Sequence, residues 1–316
     1  MKKLQVPFNG DLAVLDLYQS WSKYIDEIYF PLHPDIFPSA RQQNFGTLEE
    51  YNKILIFVCE KMKIYNIKNL VILNGVKINY SNSLLKKLKE NLNLLISHGL
   101  DGIVVADPIL ATWINKNFPL LKIRLSILSG IYDISKIKEI CLPQTLNRNE
   151  DILKELKQET SIKYSTIVNS LCRVNCPMFY WHQNLYSSNS TEWNDPSEIS
   201  EIKDSFCETL NIFSKNFLKS PFILPNELDY YDKYFENYKL EDRTLPTFRI
   251  SDILEHYALR INPEYLIDCI SGSCIYLNPS QKCNFDKEWL TYRRNCKGTC
   301  YKCSLCDRKL EEYTDD

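Results

Sequence analysis

The expected fold follows from residues 69–108, which read NLVILNGVKINYSNSLLKKLKENLNLLISHGLDGIVVADP. The runs Leu70–Leu73 and Gly102–Ala106 are short, apolar and rich in β-branched residues, which predicts two buried strands. Between them, Ser83–Ile96 has the apolar spacing of a helix, and Ser81 precedes it as an N-cap. A strand, a helix and a second strand in this order predict a βα unit of a parallel sheet.

The same alternation continues along most of the chain. Seven strands are predicted before residue 170 and one after it: Leu4–Phe8, Ile25–Phe30, Leu70–Leu73, Gly102–Ala106, Ile123–Ile127, Ile140–Leu142, Tyr164–Val168 and Phe235–Leu240. Eight βα repeats favour an α/β fold in which the sheet closes into a TIM-type (β/α)8 barrel. An open, doubly wound sheet would explain the alternation equally well. Only the strand count and the lack of a Gly-x-Gly-x-x-Gly turn separate the two folds.

The alternation is interrupted before the last predicted strand. Residues 170–231 form an insertion that is much longer than an ordinary βα loop, and insertions of this length are usually functional. Leu254–Leu259 is expected to be the last helix, and the cysteine-rich segment follows it. We therefore predict a barrel over residues 1–260, including the insertion, and a metal-binding tail over residues 261–316.

The overall composition excludes several classes of protein. The 316 residues include 38 Lys plus Arg and 40 Asp plus Glu, so the formal net charge is −2. This balance is not that of a dedicated nucleic-acid binder, and RNA contact is therefore not favoured. No apolar run reaches the roughly 18 residues of a membrane span. Polar residues interrupt the first segment too early for a signal peptide, so a cytoplasmic location is expected.

Cysteines are the first feature that points to chemistry. The chain has 12 of them, and in a reducing cytoplasm clustered cysteines favour metal binding or catalysis over disulfides. Cys172 and Cys176 form one close pair. A second, denser group lies at the end of the chain: Cys296, Cys300, Cys303 and Cys306. Thiolates are soft ligands that suit iron–sulfur clusters and zinc, and the tail group could hold either a cluster or zinc.

Polar residues follow several predicted strands directly. They are Asn9 and Asp11 after the first strand, Asn74 after the third, Asp107 after the fourth and Asn169 after the seventh. In a barrel these positions share the carboxyl rim, where active sites form. The alternative is that each residue starts a turn or caps the next helix. Asp107 is nevertheless a candidate catalytic residue on this pattern.

Two further candidates come from the insertion and from the last strand. His182 follows the cysteine pair and could donate a proton, although a histidine packed between aromatic residues is more often structural. Arg243, just after the eighth strand, could clamp an anionic substrate, as could Arg41, and surface exposure is the alternative for both.

Four segments resemble the U-thirty-two peptidase family, and most closely its UbiU/UbiV-like branch. They are VPFNGDL at 6–12, DGIVVADP at 101–108, NSLCRVNCPMFYWHQNL at 169–185 and SPFILPNEL at 220–228. The resemblance implies a TIM-barrel-like protein that holds a 4Fe-4S cluster on four cysteines and serves oxygen-independent hydroxylation of ubiquinone precursors or RNA bases. It also implies that Cys207 is a third ligand beside Cys172 and Cys176; the alternative is that Cys207 is a buried thiol in the apolar helical stretch Phe206–Phe217. The fourth ligand is unassigned, and Cys269, Cys274 and Cys283 are further candidates for it.

Three functions are compatible with these patterns. The first is an iron–sulfur enzyme that modifies a small anionic or aromatic molecule, or an RNA base, in the barrel mouth. The second is a collagenase-like peptidase; the chain has no His-Glu-x-x-His zinc motif, so this function would need a Cys–His dyad built on His182. The third is an accessory subunit whose cysteine-rich tail binds RNA or a partner of the same family.

Overall fold

Eight parallel strands close into a single barrel. The computed structural model describes residues 1–39, 46–75, 78–129, 137, 139–158, 161–172, 174, 176, 179, 217–271 and 281–314. Its strands pair in chain order around the ring, and β8 pairs with β1 to complete it. They are β1 (Lys3–Pro7), β2 (Ile25–Pro31), β3 (Lys68–Leu73), β4 (Gly102–Val105), β5 (Lys122–Leu125), β6 (Glu139–Leu142), β7 (Lys163–Ile167) and β8 (Asn237–Lys239). The predicted (β/α)8 barrel is confirmed, and an open sheet is excluded.

Helices surround this barrel. In the described residues they are α1 (Ala13–Ser20), α2 (Leu48–Ile64), α3 (Asn82–Ser97), α4 (Pro108–Asn117), α5 (Glu150–Gln158), α6 (Leu228–Tyr231), α7 (Thr247–Leu259), α8 (Lys287–Arg294) and α9 (Leu305–Thr314). Their starts follow ordinary capping chemistry: Ser81 accepts from the Leu84 N–H and caps α3, as the sequence predicts. Thr47 and Glu50 form a capping box at the start of α2. No helix of the described chain has the length and apolar character needed to span a membrane.

The expectation that Leu254–Leu259 is the last helix is wrong. Helix α7 begins about two turns earlier, directly after Pro246, and two further helices follow it. Asp286 caps the first of these, α8, because its side chain accepts from the Trp289 N–H. The sequence did not predict these two helices, because each is short and has too few apolar residues for a clear helical pattern. Trp289 and Leu290 nevertheless join the same core cluster as the barrel.

Side chains alternate between the outside and the inside of the barrel wall. Ile140 and Leu142 of β6 pack in the outer core, under the helices, so Cys141 between them faces the interior. By the same alternation Tyr238 of β8 packs outward and Lys239 faces inward. One half of the interior is apolar and is filled by a separate cluster on β2, β3 and β4: Tyr29, Leu70, Ile72 and Val104. The other half, on β1 and β5 to β8, is polar.

A buried guanidinium joins two carboxylates near the amino end of the barrel. Arg124 of β5 binds both carboxylate oxygens of Glu27 on β2, and its Nη2 lies 3.0 Å from Oε2. The same Nη2 lies 2.8 Å from Oε2 of Glu139 on β6. Arg124 is 3% exposed and Glu27 is fully buried. Burial alone would lower the pKa of Arg124, but the two carboxylates outweigh it and raise the pKa above the ordinary range.

We expect Arg124→Met to lower the free energy of unfolding by about 3–5 kcal/mol, because it leaves the buried Glu27 carboxylate without its cation. Urea unfolding followed by circular dichroism measures this change. Lys53→Met is the matched control: its ammonium lies 2.7 Å from Glu49, but both side chains are exposed, so little or no loss is expected. Equal losses in the two variants would contradict the structural role of the buried group.

Candidate functional site

The polar residues predicted at the carboxyl rim lie there, and Asp107 also has a structural role. Its Oδ1 accepts from the Ile109 N–H at 2.7 Å and from the Leu110 N–H at 3.4 Å, which caps α4. Its Oδ2 accepts from the Tyr80 hydroxyl at 2.6 Å. Burial and this carboxylate raise the pKa of Tyr80. The contacts are those of the capping alternative, and a catalytic role for Asp107 stays a prediction.

Asn169 and Asn9 join the last strand and its loop to the rest of the rim. The Asn169 amide donates to the Glu241 carbonyl at 3.2 Å and accepts from the Glu241 N–H at 2.7 Å. The Asn9 amide donates to the Leu245 carbonyl and to the Thr247 hydroxyl, both at 3.1 Å. Both amides hydrogen bond to the segment that follows β8 rather than pointing into the barrel mouth. We call them clamps because they hold this segment in place.

Arg243 lies in that positioned segment, at the barrel mouth. It is 5% exposed, and its Nη2 donates to the Ser39 hydroxyl after β2. Ser39 in turn donates to Asn74 Oδ1, after β3, at 3.4 Å. A chain of polar contacts therefore connects the ends of three strands. A buried guanidinium at this position suits the predicted role of binding an anionic group. Arg41, the other predicted clamp, lies outside the described residues.

The predicted cysteine pair follows β7 at the same rim. Cys172 is partly exposed, and its N–H donates to the Ser170 hydroxyl at 3.4 Å. Cys176 is 9% exposed. Between them, the Val174 N–H donates to the Lys219 carbonyl at 3.2 Å. The predicted third ligand, Cys207, and the predicted proton donor, His182, lie outside the described residues, so their roles stay predictions.

The segment Phe217–Ser220, which we call the docking segment, contacts both cysteine regions. Its first three residues form a short 3-10 helix. On the rim side, the Ser220 hydroxyl donates to the Leu171 carbonyl at 2.6 Å, next to Cys172. On the tail side, the Cys306 thiol lies 3.7 Å from the Leu218 carbonyl. The Lys219 ammonium also binds Asp307 at 2.5 Å. The structure thus brings the rim and the tail to the same four residues.

Two other tail cysteines lie close enough to Cys306 to influence its thiol beside this segment. Burial raises the pKa of the Cys306 thiol, and the nearby thiols of Cys296 and Cys300 act in the same direction. The guanidinium groups of Arg148 and Arg293 act in the opposite direction, because a cation favours the thiolate. Cys303 is exposed. Within the described ranges, no three His, Cys, Asp or Glu side chains surround a common point as metal ligands do. The four-cysteine tail site therefore stays a prediction.

Two buried arginines attach the tail to the barrel. Arg293 of α8 is 6% exposed, lies 3.8 Å from the Phe222 ring centroid, and donates to the carbonyls of Ser220 (3.0 Å) and Phe222. Arg148 donates to the carbonyls of Leu218 and Ser220. Burial and the neighbouring Arg148 lower the pKa of Arg293 to about 9. The docking segment therefore carries two cations at its carbonyl groups.

The structure also brings forward two side chains that sequence reasoning did not select. Cys141 of β6 and Lys239 of β8 both face the interior of the barrel, and the charge of each affects the pKa of the other. The sequences of these strands contained a pattern that could have identified both residues. Lys239 alternates with the outward Tyr238, and a cysteine or lysine at an inward position of a barrel strand is unusual enough to be a candidate.

The described histidines have partners that favour structural roles. His98 lies 2.8 Å from Glu60, and His256 lies 3.1 Å from the Ile261 carbonyl. His33 lies 3.3 Å from the Gly46 carbonyl and packs near the Tyr51 ring. A Cys–His dyad for peptide cleavage consequently continues to depend on His182.

We expect Arg293→Met to release the tail from the barrel, because the carbonyls of Ser220 and Phe222 lose their shared donor. Limited proteolysis should then cleave within residues 281–314 at least about tenfold faster, which corresponds to roughly 1.4 kcal/mol of local stability. Lys297→Met is the control, since its ion pair with Asp151 spans 3.5 Å and both side chains are exposed. Unchanged cleavage in Arg293→Met would show that other contacts hold the tail.

Comparison with known proteins identifies the family. Residues 16–173 match Peptidase family U32. An uncharacterized protease of Methanocaldococcus jannaschii is 26% identical over 252 residues, which cover 74% of this chain and 70% of the relative. The solved structure of the U32 peptidase Mk0906 superposes with a TM-score of 0.52 and 15% identity, over 77% of this chain and 93% of that one.

A second solved structure, a conserved protein of unknown function from Enterococcus faecalis, has a TM-score of 0.44 and 13% identity, over 81% of this chain and 65% of that chain. The likeness to Mk0906 supports the barrel fold, and the family match spans half of the chain. The chain belongs to peptidase family U32.

Proposed function

We propose that this U32-family chain is an iron–sulfur protein that carries out oxygen-independent hydroxylation, or a related redox modification, of a small molecule or an RNA base. The observation that supports this proposal is the contact of both cysteine regions with the docking segment. Leu171 and Val174, the neighbours of Cys172 and Cys176, hydrogen bond to it from the rim, and Cys306 contacts it from the tail. Cysteine thiolates are the donor set that iron–sulfur clusters require.

The charges around the docking segment also fit such a group. A cluster on four thiolates is anionic, and Arg148 and Arg293 lie within electrostatic reach of the Cys306 thiol. The raised pKa of this thiol means that it carries its proton at neutral pH in the ligand-free chain. Metal binding would displace that proton, and the two guanidinium groups would favour the resulting thiolate.

When bound, an iron–sulfur cluster supplies one-electron transfer. The described side chains would bind and orient the molecule to be modified. Arg243 offers a cation at the mouth, and Ser39 and Asn74 hold its polar surroundings in place. A small anionic substrate fits this arrangement through charge-assisted hydrogen bonds. The clamps formed by Asn169 and Asn9 fix the loop that carries Arg243.

The proposal predicts a brown protein after anaerobic purification and reconstitution with iron and sulfide. Visible charge-transfer absorption, iron and sulfide content, and Mössbauer spectra measure the cluster. We expect the double variant Cys172→Ala/Cys176→Ala to lose at least half of the iron, because two of its ligands are gone. Cys300→Ala/Cys306→Ala tests the tail in the same way. Cys59→Ala is the control, since Cys59 is buried in α2 away from both regions.

The amount of iron that each double variant loses distinguishes one shared cluster from two separate clusters. If rim and tail share a cluster, each double variant loses nearly all of the iron; if each holds its own, each variant loses about half. A colourless protein without iron after reconstitution contradicts the proposal, and zinc in its place would favour the zinc alternative for the tail. Peptide cleavage by metal-free protein, abolished in His182→Ala, would instead support the peptidase function.

A further inference from the structure

Lys239, the last residue of β8, lies in the polar half of the barrel interior. Gln5 of β1 and Ile167 of β7 are its register partners on the neighbouring strands. Its ammonium group lies 4.1 Å from the Tyr29 ring centroid. The residue is partly exposed, so solvent or a small molecule can reach it. The carboxyl end of a barrel strand is the position from which TIM-barrel enzymes present reactive side chains.

The surroundings of Lys239 disfavour its charged form. Burial is the largest influence and lowers the pKa of the amine, and the positive charges of Arg124 on β5 and Arg243 after β8 lower it further. Cys141 on β6 and Glu27 on β2 act in the opposite direction. Glu27 is already bound by Arg124. Nowhere in the described residues does a side chain hydrogen bond or form an ion pair with the Lys239 ammonium.

The neighbouring Gln5 side chain indicates that this interior accommodates a polar molecule. Gln5 is fully buried, and both polar atoms of its amide lack a hydrogen-bond partner within the described residues. Buried amides are normally satisfied, so such a group points to water or to a ligand. Gln5 also lines a cavity of about 150 Å³ at the amino end of the barrel, together with Arg124, Ser165 and Asn237; Lys239 does not line this cavity. The observation that indicates a polar occupant beside Lys239 is therefore the Gln5 amide.

We propose that Lys239 is a reactive amine that forms an imine with small 2-oxo acids entering the barrel. The interior offers a lysine held against an aromatic ring, without a carboxylate partner in the described chain, and with the Arg243 guanidinium nearby, which favours a negatively charged compound. The amine nitrogen attacks the carbonyl carbon, a C–N bond forms, and the carbonyl oxygen leaves as water with the two amine protons. No oxidant, reductant or metal is needed.

This site is independent of the proposed iron–sulfur function. Lys239 faces the interior, whereas the cysteine regions are joined through the docking segment. Trapping of the imine can therefore be tested on metal-free, full-length protein. Failure of the trapping experiment would leave the iron content unchanged, and failure of cluster reconstitution would leave the trapping unchanged.

The test treats the protein with glyoxylate and cyanoborohydride and quantifies the carboxymethyl-lysine at each position by peptide mass spectrometry. Each unit by which a lysine pKa falls raises the neutral fraction about tenfold. We therefore expect several-fold more adduct at Lys239, whose pKa is lowered, than at Lys53 at neutral pH. Lys53 is an internal control because it is exposed, and its ion pair with Glu49 raises its pKa. The excess should shrink as the pH rises and both amines become neutral.

Two variants and one neutral probe complete the test. Lys239→Arg should abolish the excess, and Lys53→Arg should leave the Lys239 adduct unchanged; circular dichroism checks that both variants fold. Propanal in place of glyoxylate should label Lys239 less strongly, because it lacks the carboxylate that the Arg243 guanidinium favours. Equal labelling of Lys239 and Lys53 by glyoxylate, or an excess that is the same for propanal, would overturn the proposal.

Discussion

The closure of the barrel by β8 is the interaction on which the rest of the structure depends. This strand is only three residues long, and it must pair with both β7 and β1. A strand this short forms few hydrogen bonds with its neighbours, so the clamps that follow it also help to close the barrel. Asn169 holds Glu241, and Asn9 holds Leu245 and Thr247. The polar residues at the rim thus secure the ring itself and set the position of Arg243 in its mouth.

The docking segment is a second point at which distant parts of the chain depend on one another. Its carbonyl groups need donors because the segment makes only a short 3-10 helix. Arg148 from the loop before α5 and Arg293 from the tail supply those donors. As a result the tail is attached by buried charge as well as by the apolar Trp289 and Leu290. The same cations lie close to the Cys306 thiol, so attachment of the tail and the chemistry of its cysteines are coupled.

The interior of the barrel combines a stabilising arrangement with a reactive one. Towards the amino end, Arg124 and Lys122 together balance the charges of Glu27 and Glu139, and each charge has a partner. Towards the carboxyl end, Lys239 has the Tyr29 ring as its contact. Burying a charge without a partner is unfavourable, and evolution commonly retains such groups where they react or bind. The amino end of the barrel interior is therefore structural, and its carboxyl end is the candidate functional end.

Local sequence was sufficient to predict the eight strands, because apolar alternation and the Asn and Asp residues that follow them are properties of neighbouring residues. Their pairing order around a ring was inferred from strand number alone. The tail helices were missed because short helices with few apolar residues leave a weak periodic signal.

The sequence by itself determined which residues could serve chemistry: the cysteine pair after β7, the cysteines of the tail, and Arg243 and Asp107 after their strands. Only the tertiary structure decided what these residues meet. Ser39 contacts Arg243, the tail contacts the docking segment, and Lys239 lies over Tyr29. Each of these contacts joins residues that are far apart in the chain. Such contacts arise from closure of the ring, which places the ends of separate strands together, and no local pattern encodes them.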